Sequence, residues 1–201
     1  MQKLFVLCLS IMLSGACALA WEAPKDDNGL YYWCMGGFGT TAQIWSKIGT
    51  AAGMEIGVQS HAHIFLFRWN QNNEADPGTV GEEAYDLHRT PEEDINEVGL
   101  LYGRGWRNDL FVLSAAAGVT YISGMRRGDL IQQTTQVHYD GGTVIEKYEE
   151  RPFETVGLPV IVQISFQALE VFGFAVELFG NANPERSYMG ALLGIQFGHL
   201  R

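Results

Sequence analysis

Cysteine, long apolar runs and basic residues are all scarce in this 201-residue chain, and each scarcity narrows what it can be. Two of the three cysteines, Cys8 and Cys17, lie in an N-terminal stretch of Lys3, the apolar run Leu4 to Leu13, and small residues closing on Ala18-Leu19-Ala20 before Trp21. That is the charged, apolar and A-x-A order of a cleavable secretory signal. The expected division is a signal peptide over 1–20 and one exported domain over 21–201. A lipid anchor on Cys17 is the weaker reading, because Ser14 stands where such a signal has Leu. Cleavage leaves Cys34 alone, so no internal disulfide can staple the fold.

Beyond the leader no run of about eighteen apolar residues occurs, which excludes a helical membrane span. A membrane location would then require a closed barrel, the other architecture that satisfies every backbone group in lipid. Of 13 Lys and Arg, the leader removes Lys3 and leaves 12 against 23 Asp and Glu, which argues against nucleic acid as a partner.

What is abundant is alternation. From Thr155 to Gln167, Val156, Leu158, Val160, Val162, Ile164 and Phe166 oppose Gly157, Pro159, Ile161, Gln163 and Ser165 with period two. Phe172, Phe174, Val176 and Leu178 oppose Gly173, Ala175 and Glu177; Met189 through Phe197 oppose Gly190 through Gln196. Ala52, Met54, Ile56 and Val58 oppose Gly53, Glu55, Gly57 and Gln59, and Phe65, Phe67 and Trp69 oppose Leu66 and Arg68. Val98, Leu100 and Tyr102 oppose Glu97, Gly99 and Leu101, and Phe111 through Tyr121 oppose Val112 through Thr120. A less regular first segment, Leu30 to Phe38, makes eight strands. The 24 glycines recur inside these stretches, which suggests close backbone approach on a tight inner face.

Connections are expected to be short around Ser60–Ala62, Arg107–Asn108 and Ala168–Glu170. They are expected to be longer over Gly39–Thr50, Asn70–Asp94 and Met125–Pro152, with Gly180–Arg186 the brief member of that set. Short and long alternate without exception, as in an up-and-down barrel with tight periplasmic turns and longer outer loops. Trp69, Tyr121 and Tyr188 fall at the outer end, while Trp106, Phe111, Phe166, Phe172 and Phe197 fall near the turns, giving two aromatic girdles. A soluble lipocalin-like barrel would need a charged outer face, and the less apolar face here is mostly Gly, Ala, Ser and Gln. The predicted fold is all-β: an eight-stranded antiparallel up-and-down transmembrane β-barrel.

Phe153-Glu154-Thr155-Val156-Gly157-Leu158-Pro159, then Phe179-Gly180-Asn181 with Asn183-Pro184-Glu185, and the ending Gly190 to Arg201 resemble a family of Bacteroidetes-type outer-membrane β-barrel proteins. The resemblance covers the last three strands best, and more broadly the chain looks like the small OmpA and OmpX kind of barrel. It implies fold and outer-membrane location and no reaction. The terminal Phe usual in outer-membrane insertion signals is absent, since Phe197 is followed by Gly198-His199-Leu200-Arg201.

By parity Glu55, Glu97, Glu177 and Arg68 face the lumen, joined by Gln163 and Gln196, with Arg126 continuing inward parity at the mouth. The turn near Ser60 is expected to bring Gly53 about opposite Arg68 and Glu55 diagonal to it. Such charges must pair, bind water or change protonation, either as a static network that fills the lumen or as a gate with a cation site.

No catalytic set stands out. His61 and His63 flank a short turn without metal-ligand spacing; His88, His138 and Asp140 sit in outer loops without Ser/His/Asp order, so a lipid A-modifying enzyme is a lesser alternative. The loop acids Glu82-Glu83, Glu92-Glu93-Asp94 and Glu149-Glu150 follow no cation-loop pattern and read as solvated surface. Arg104, the charged residue on the outward face of its strand, is near the short-turn rim and is expected to snorkel. The sequence thus points to a monomer in the bacterial outer membrane, with no cofactor and no metal. Its partners would be outer-membrane lipids including lipopolysaccharide, and the barrel insertion machinery. A structural or surface-interaction role leads, ahead of a narrow gated pore.

Overall fold

A computed structural model describes residues 29–43, 48–74, 93–108, 110–138 and 141–200. The alternating segments form eight strands: β1 Leu30–Gln43, β2 Ile48–Ser60, β3 His63–Glu74, β4 Glu93–Arg107, β5 Phe111–His138, β6 Gly141–Phe166, β7 Phe172–Ala182 and β8 Tyr188–His199. Each pairs antiparallel with its sequence neighbour, and β1 closes on β8 from Tyr32↔His199 to Gln43↔Tyr188. The result is an all-β, eight-stranded, up-and-down barrel with no free edge around its wall.

Three tight connections share one end. His61-Ala62 joins β2 to β3, with His61 at φ 56 and its carbonyl accepting from Gln59 Nε2 at 2.8 Å. At the β4–β5 turn, Asn108 Oδ1 accepts from the backbone N–H of Leu110 at 2.9 Å and of Phe111 at 2.7 Å, a side-chain-built turn. Residues 167–171 join β6 to β7, and this same end holds the chain near Gly29 and Leu200 through His61 N–H to Gly29 O and Leu200 N–H to Glu170 O.

Side chains sort by parity as the sequence alternation predicts. Along β6 the outward Val156, Leu158, Val160, Val162, Ile164 and Phe166 are all exposed. The ten steps from Val156 to Phe166, at about 3.3 Å rise and tilted by about 40°, give an apolar band about 25 Å tall. The inward face carries Ile64, Ile161 and Leu192 together with buried Glu55, Arg68, Asn70, Glu97 and Glu177. This inversion, apolar outside and polar within, distinguishes the molecule from a soluble barrel.

Inward glycines make that interior possible. A Cβ on Gly57 would stand 2.2 Å from the Trp33 ring, and one on Gly157 would stand 2.1 Å from Asn181 Oδ1. Large inner side chains lie over the bare backbone of the neighbouring strand.

Two expected loops are largely strand. The Gly39–Thr50 segment narrows to residues 44–47 between β1 and β2. The Met125–Pro152 segment is a continuous hairpin, β5 and β6 pairing to His138↔Gly141 with register shifts between Arg127 and Gln132. The segment 1–20 read as a signal lies outside the described residues, as do His88, Asp140, Glu82, Glu83 and Glu92, and the side chains of Glu93 and His138.

Candidate functional site: a cross-braced lumen

An eight-stranded barrel places strand n diametrically opposite strand n+4, and the lumen side chains use that geometry three times. Arg68 of β3 reaches Glu177 of β7, Nη2 to Oε1 2.8 Å, with both side chains at most 2% exposed. The hydroxyl of Tyr188 on β8 donates to Glu97 Oε2 on β4. Gln163 Nε2 on β6 lies 3.5 Å from Glu55 Oε1 on β2, an oxygen that also accepts from the Trp33 indole N–H at 2.9 Å. Each brace spans the lumen and ties two strands that share no backbone hydrogen bond.

Around these braces Gln163 Oε1 accepts from Gln196 Nε2 and from Ser165 Oγ, each at 3.3 Å. The Arg68 guanidinium lies 4.6 Å from the centre of the Phe179 ring. Nearer the long-connection end, Asn70 Nδ2 donates to Asn72 Oδ1 at 3.2 Å and Asn181 Nδ2 donates to Thr120 Oγ1 at 2.8 Å. At the short-turn end Arg107 forms a floor: Nη2 donates to Gln59 Oε1 at 3.1 Å, Nη1 donates to the Leu200 carbonyl, and the guanidinium stacks 3.6 Å over Tyr31.

Three carboxylates therefore face one mid-lumen guanidinium. Arg68 neutralises one of them most directly, and Glu55 and Glu97 rely on neutral donors. Among the described residues, Glu55 Oε2, Glu97 Oε1 and Arg68 Nη1 have no hydrogen-bond partner, so the charge is only partly compensated by protein groups. No group of three or more His, Cys, Asp or Glu among the described residues is placed to hold a metal ion.

The expected site residues divide accordingly. Glu55, Arg68, Glu97, Glu177, Gln163 and Gln196 meet in the lumen, whereas Arg126 stands at the open rim, 45% exposed, and pairs with Glu185 at 3.1 Å. Arg126 keeps inward parity but lies above the filled section, so it is a rim residue and not part of the lumen network. The expected register also needs correction: the two-residue turn pairs Ser60 with His63, which sets Glu55, and not Gly53, opposite Arg68. Tyr188, expected in the outer girdle, points inward at 2% exposure. Its parity with Gly190 and Leu192 carried that signal. Trp33 was hidden because Tyr31 to Met35 is an unbroken apolar run with no alternation to read.

Beyond the rim, Arg151 meets Glu149 at 2.8 Å and Asp129 at 2.6 Å. Those two carboxylates, Glu149 first, push the guanidinium pKa above the usual arginine value. His61 Nδ1 lies 3.2 Å from Ser60 Oγ, and His63 Nδ1 lies 2.6 Å from the Tyr102 hydroxyl, so the two turn histidines engage different neighbours.

No protein-family model matches the sequence, and no curated protein matches it. Solved structures do. The chain superposes on Ail, the attachment invasion locus protein of Yersinia pestis, with TM-score 0.53 and 10% identity, over 85% of this chain and 98% of that one. It superposes on Neisserial surface protein A with TM-score 0.54 and 9% identity, over 84% of this chain and 96% of that one. Both are small eight-stranded outer-membrane barrels, and the fold of this chain is of that kind.

Proposed function

We propose that this protein resides in a bacterial outer membrane as a closed barrel that carries the β5–β6 hairpin outward as a surface-interaction element. The single observation behind this reading is the inverted polarity of the wall, a tall apolar band outside with charged residues inside, which has a low free energy only in lipid. Closure of the lumen follows from the braces. Among the described residues, Arg68, Tyr188, Glu55, Met35 and Leu192 are each at most 2% exposed, which supports a lumen filled by side chains across the middle of the barrel.

The hairpin supports the interaction role. Beyond Met125, β5 runs thirteen more residues, Arg126 to His138, about 40 Å at strand rise. Its sequence there includes Gln132-Gln133-Thr134-Thr135-Gln136, uncharged and strand-forming. The orientation follows from the general rule that short turns face the periplasm. An epitope inserted between Asp140 and Gly141 tests it: labelling of intact cells by an impermeant antibody is expected, and labelling only after the outer membrane is permeabilised would refute the placement.

The resemblance to Ail and Neisserial surface protein A supports the membrane barrel. The surface role rests on the hairpin.

A further inference from the structure

Among the described residues, one arginine stands on the outward face near the short-turn end. Arg104 projects outward from β4 near the short-turn end, between Tyr102 and Trp106 on the same face of the strand. Directly across on β3, in register, stands His63. The His63 ring stacks on Tyr102 at 5.9 Å between centroids and 25° between planes, with Nδ1 2.6 Å from the Tyr102 hydroxyl. Tyr102 also packs on Phe65 at 5.2 Å. On the β5 side Arg104 faces Ala115, too small to screen the guanidinium.

Elsewhere the described arginines are engaged. Arg68 and Arg126 pair with carboxylates, Arg151 holds two, and Arg107 binds Gln59 and Leu200. Arg104 has no acceptor among the described residues, and it faces the medium where an unpaired charge is least tolerated. Near an interface such a charge is acceptable, at about 0–1 kcal/mol, provided that its head reaches polar surroundings. Phosphate is the anion available at that depth, and guanidinium is its best-matched donor.

We infer that Arg104, with His63 and the hydroxyl of Tyr102 beside it, forms a docking site for the phosphate of a phospholipid in the leaflet at the short-turn end. Trp106 and Phe65 flank the headgroup, and the outward Ala115 and Ala117 leave a shallow trough for the start of an acyl chain. The stacked His63–Tyr102 pair fixes one side of the site, so the phosphate meets a partly ordered set of donors. This inference rests on the membrane reading above and adds to it a particular lipid chemistry at a particular place.

The test uses the full mature chain refolded in micelles doped with phosphatidylglycerol, with lipid retention read by native mass spectrometry. Wild type is expected to retain one phosphatidylglycerol. Arg104→Gln is expected to hold it about 10- to 100-fold more weakly, the range for losing hydrogen bonds to a charged group, and His63→Phe is expected to give a smaller loss with ring packing kept. Arg126→Gln at the opposite rim should leave retention unchanged. A diacylglycerol of equal chain length should not be retained, and excess inorganic phosphate should not displace the bound lipid, as it would from a site that recognises the free ion.

Equal retention by wild type and Arg104→Gln, or no lipid retained by a wild type that shows the folded band on an unheated gel, overturns the inference while leaving the membrane reading intact. A wild type that fails to enter micelles or vesicles overturns the membrane reading itself. Should Arg104→Gln not fold, His63→Phe and Arg104→Lys carry the same comparison, the lysine keeping charge without the planar fork.

Discussion

Replacing Arg68 by methionine removes the guanidinium but keeps most of the side-chain volume. In the folded barrel this leaves Glu177, 1% exposed, without its cation, and takes from Glu55 the guanidinium that stands directly across from it on β3. Breaking a buried ion pair by removing one partner destabilises by about 3–5 kcal/mol. With a urea slope of about 2 kcal/mol/M, the midpoint of unfolding in lipid vesicles should fall by about 2 M. Glu177→Gln should lose clearly less, because Arg68 still has the Glu55 carboxylate opposite. The double variant Arg68→Met, Glu177→Leu should recover the share of the loss that belongs to Glu177, since Glu55 keeps Trp33 and Gln163 and Glu97 keeps Tyr188, though neither regains a cation. Tryptophan fluorescence against urea measures all three. A midpoint for Arg68→Met within about 0.5 M of wild type, or a double variant as unstable as Arg68→Met alone, would refute the account of Arg68 as the charge centre of the lumen.

Two further outcomes are expected. Gly57→Ala drives a methyl into the rigid Trp33 ring, and should destabilise by about 1–3 kcal/mol as overpacking does, a loss read in the same urea titration and absent for the outward Gly36→Ala, whose Cβ meets nothing within 4 Å. Replacing residues 127–150 by a short glycine-containing turn should leave the folded, heat-shifted gel band intact, because Arg126 and Arg151 are already cross-strand partners at the base of the hairpin; loss of that band would show the hairpin to be part of the barrel's own stability.

Most of the wall could be read from the chain because a barrel strand has a strict two-residue period and one of its two faces must suit lipid. Val156 to Phe166 and Phe172 to Leu178 announce themselves that way. Parity also sufficed to turn Glu55, Arg68, Glu97 and Glu177 inward. Register was less accessible: it depends on whether a turn holds two or three residues, and at His61-Ala62 that difference decides which residue faces Arg68. The cross-lumen braces were harder still, since they join strands four apart in order, and no local pattern records which inward side chains are long enough to meet. The extended β5–β6 hairpin escaped because Arg126-Arg127-Gly128-Asp129 breaks the alternation where the strand leaves the apolar band, although backbone pairing continues to His138.

The central claim is a closed barrel that is stable in lipid, and it is tested most directly on refolded protein by gel migration with and without heating, paired with single-channel recording of the same sample in planar bilayers. The account predicts a faster-migrating band before heating that shifts on boiling, with no steady current. A water-soluble folded protein without a heat shift would contradict the membrane assignment, and a reproducible open conductance would contradict the cross-braced, sealed lumen.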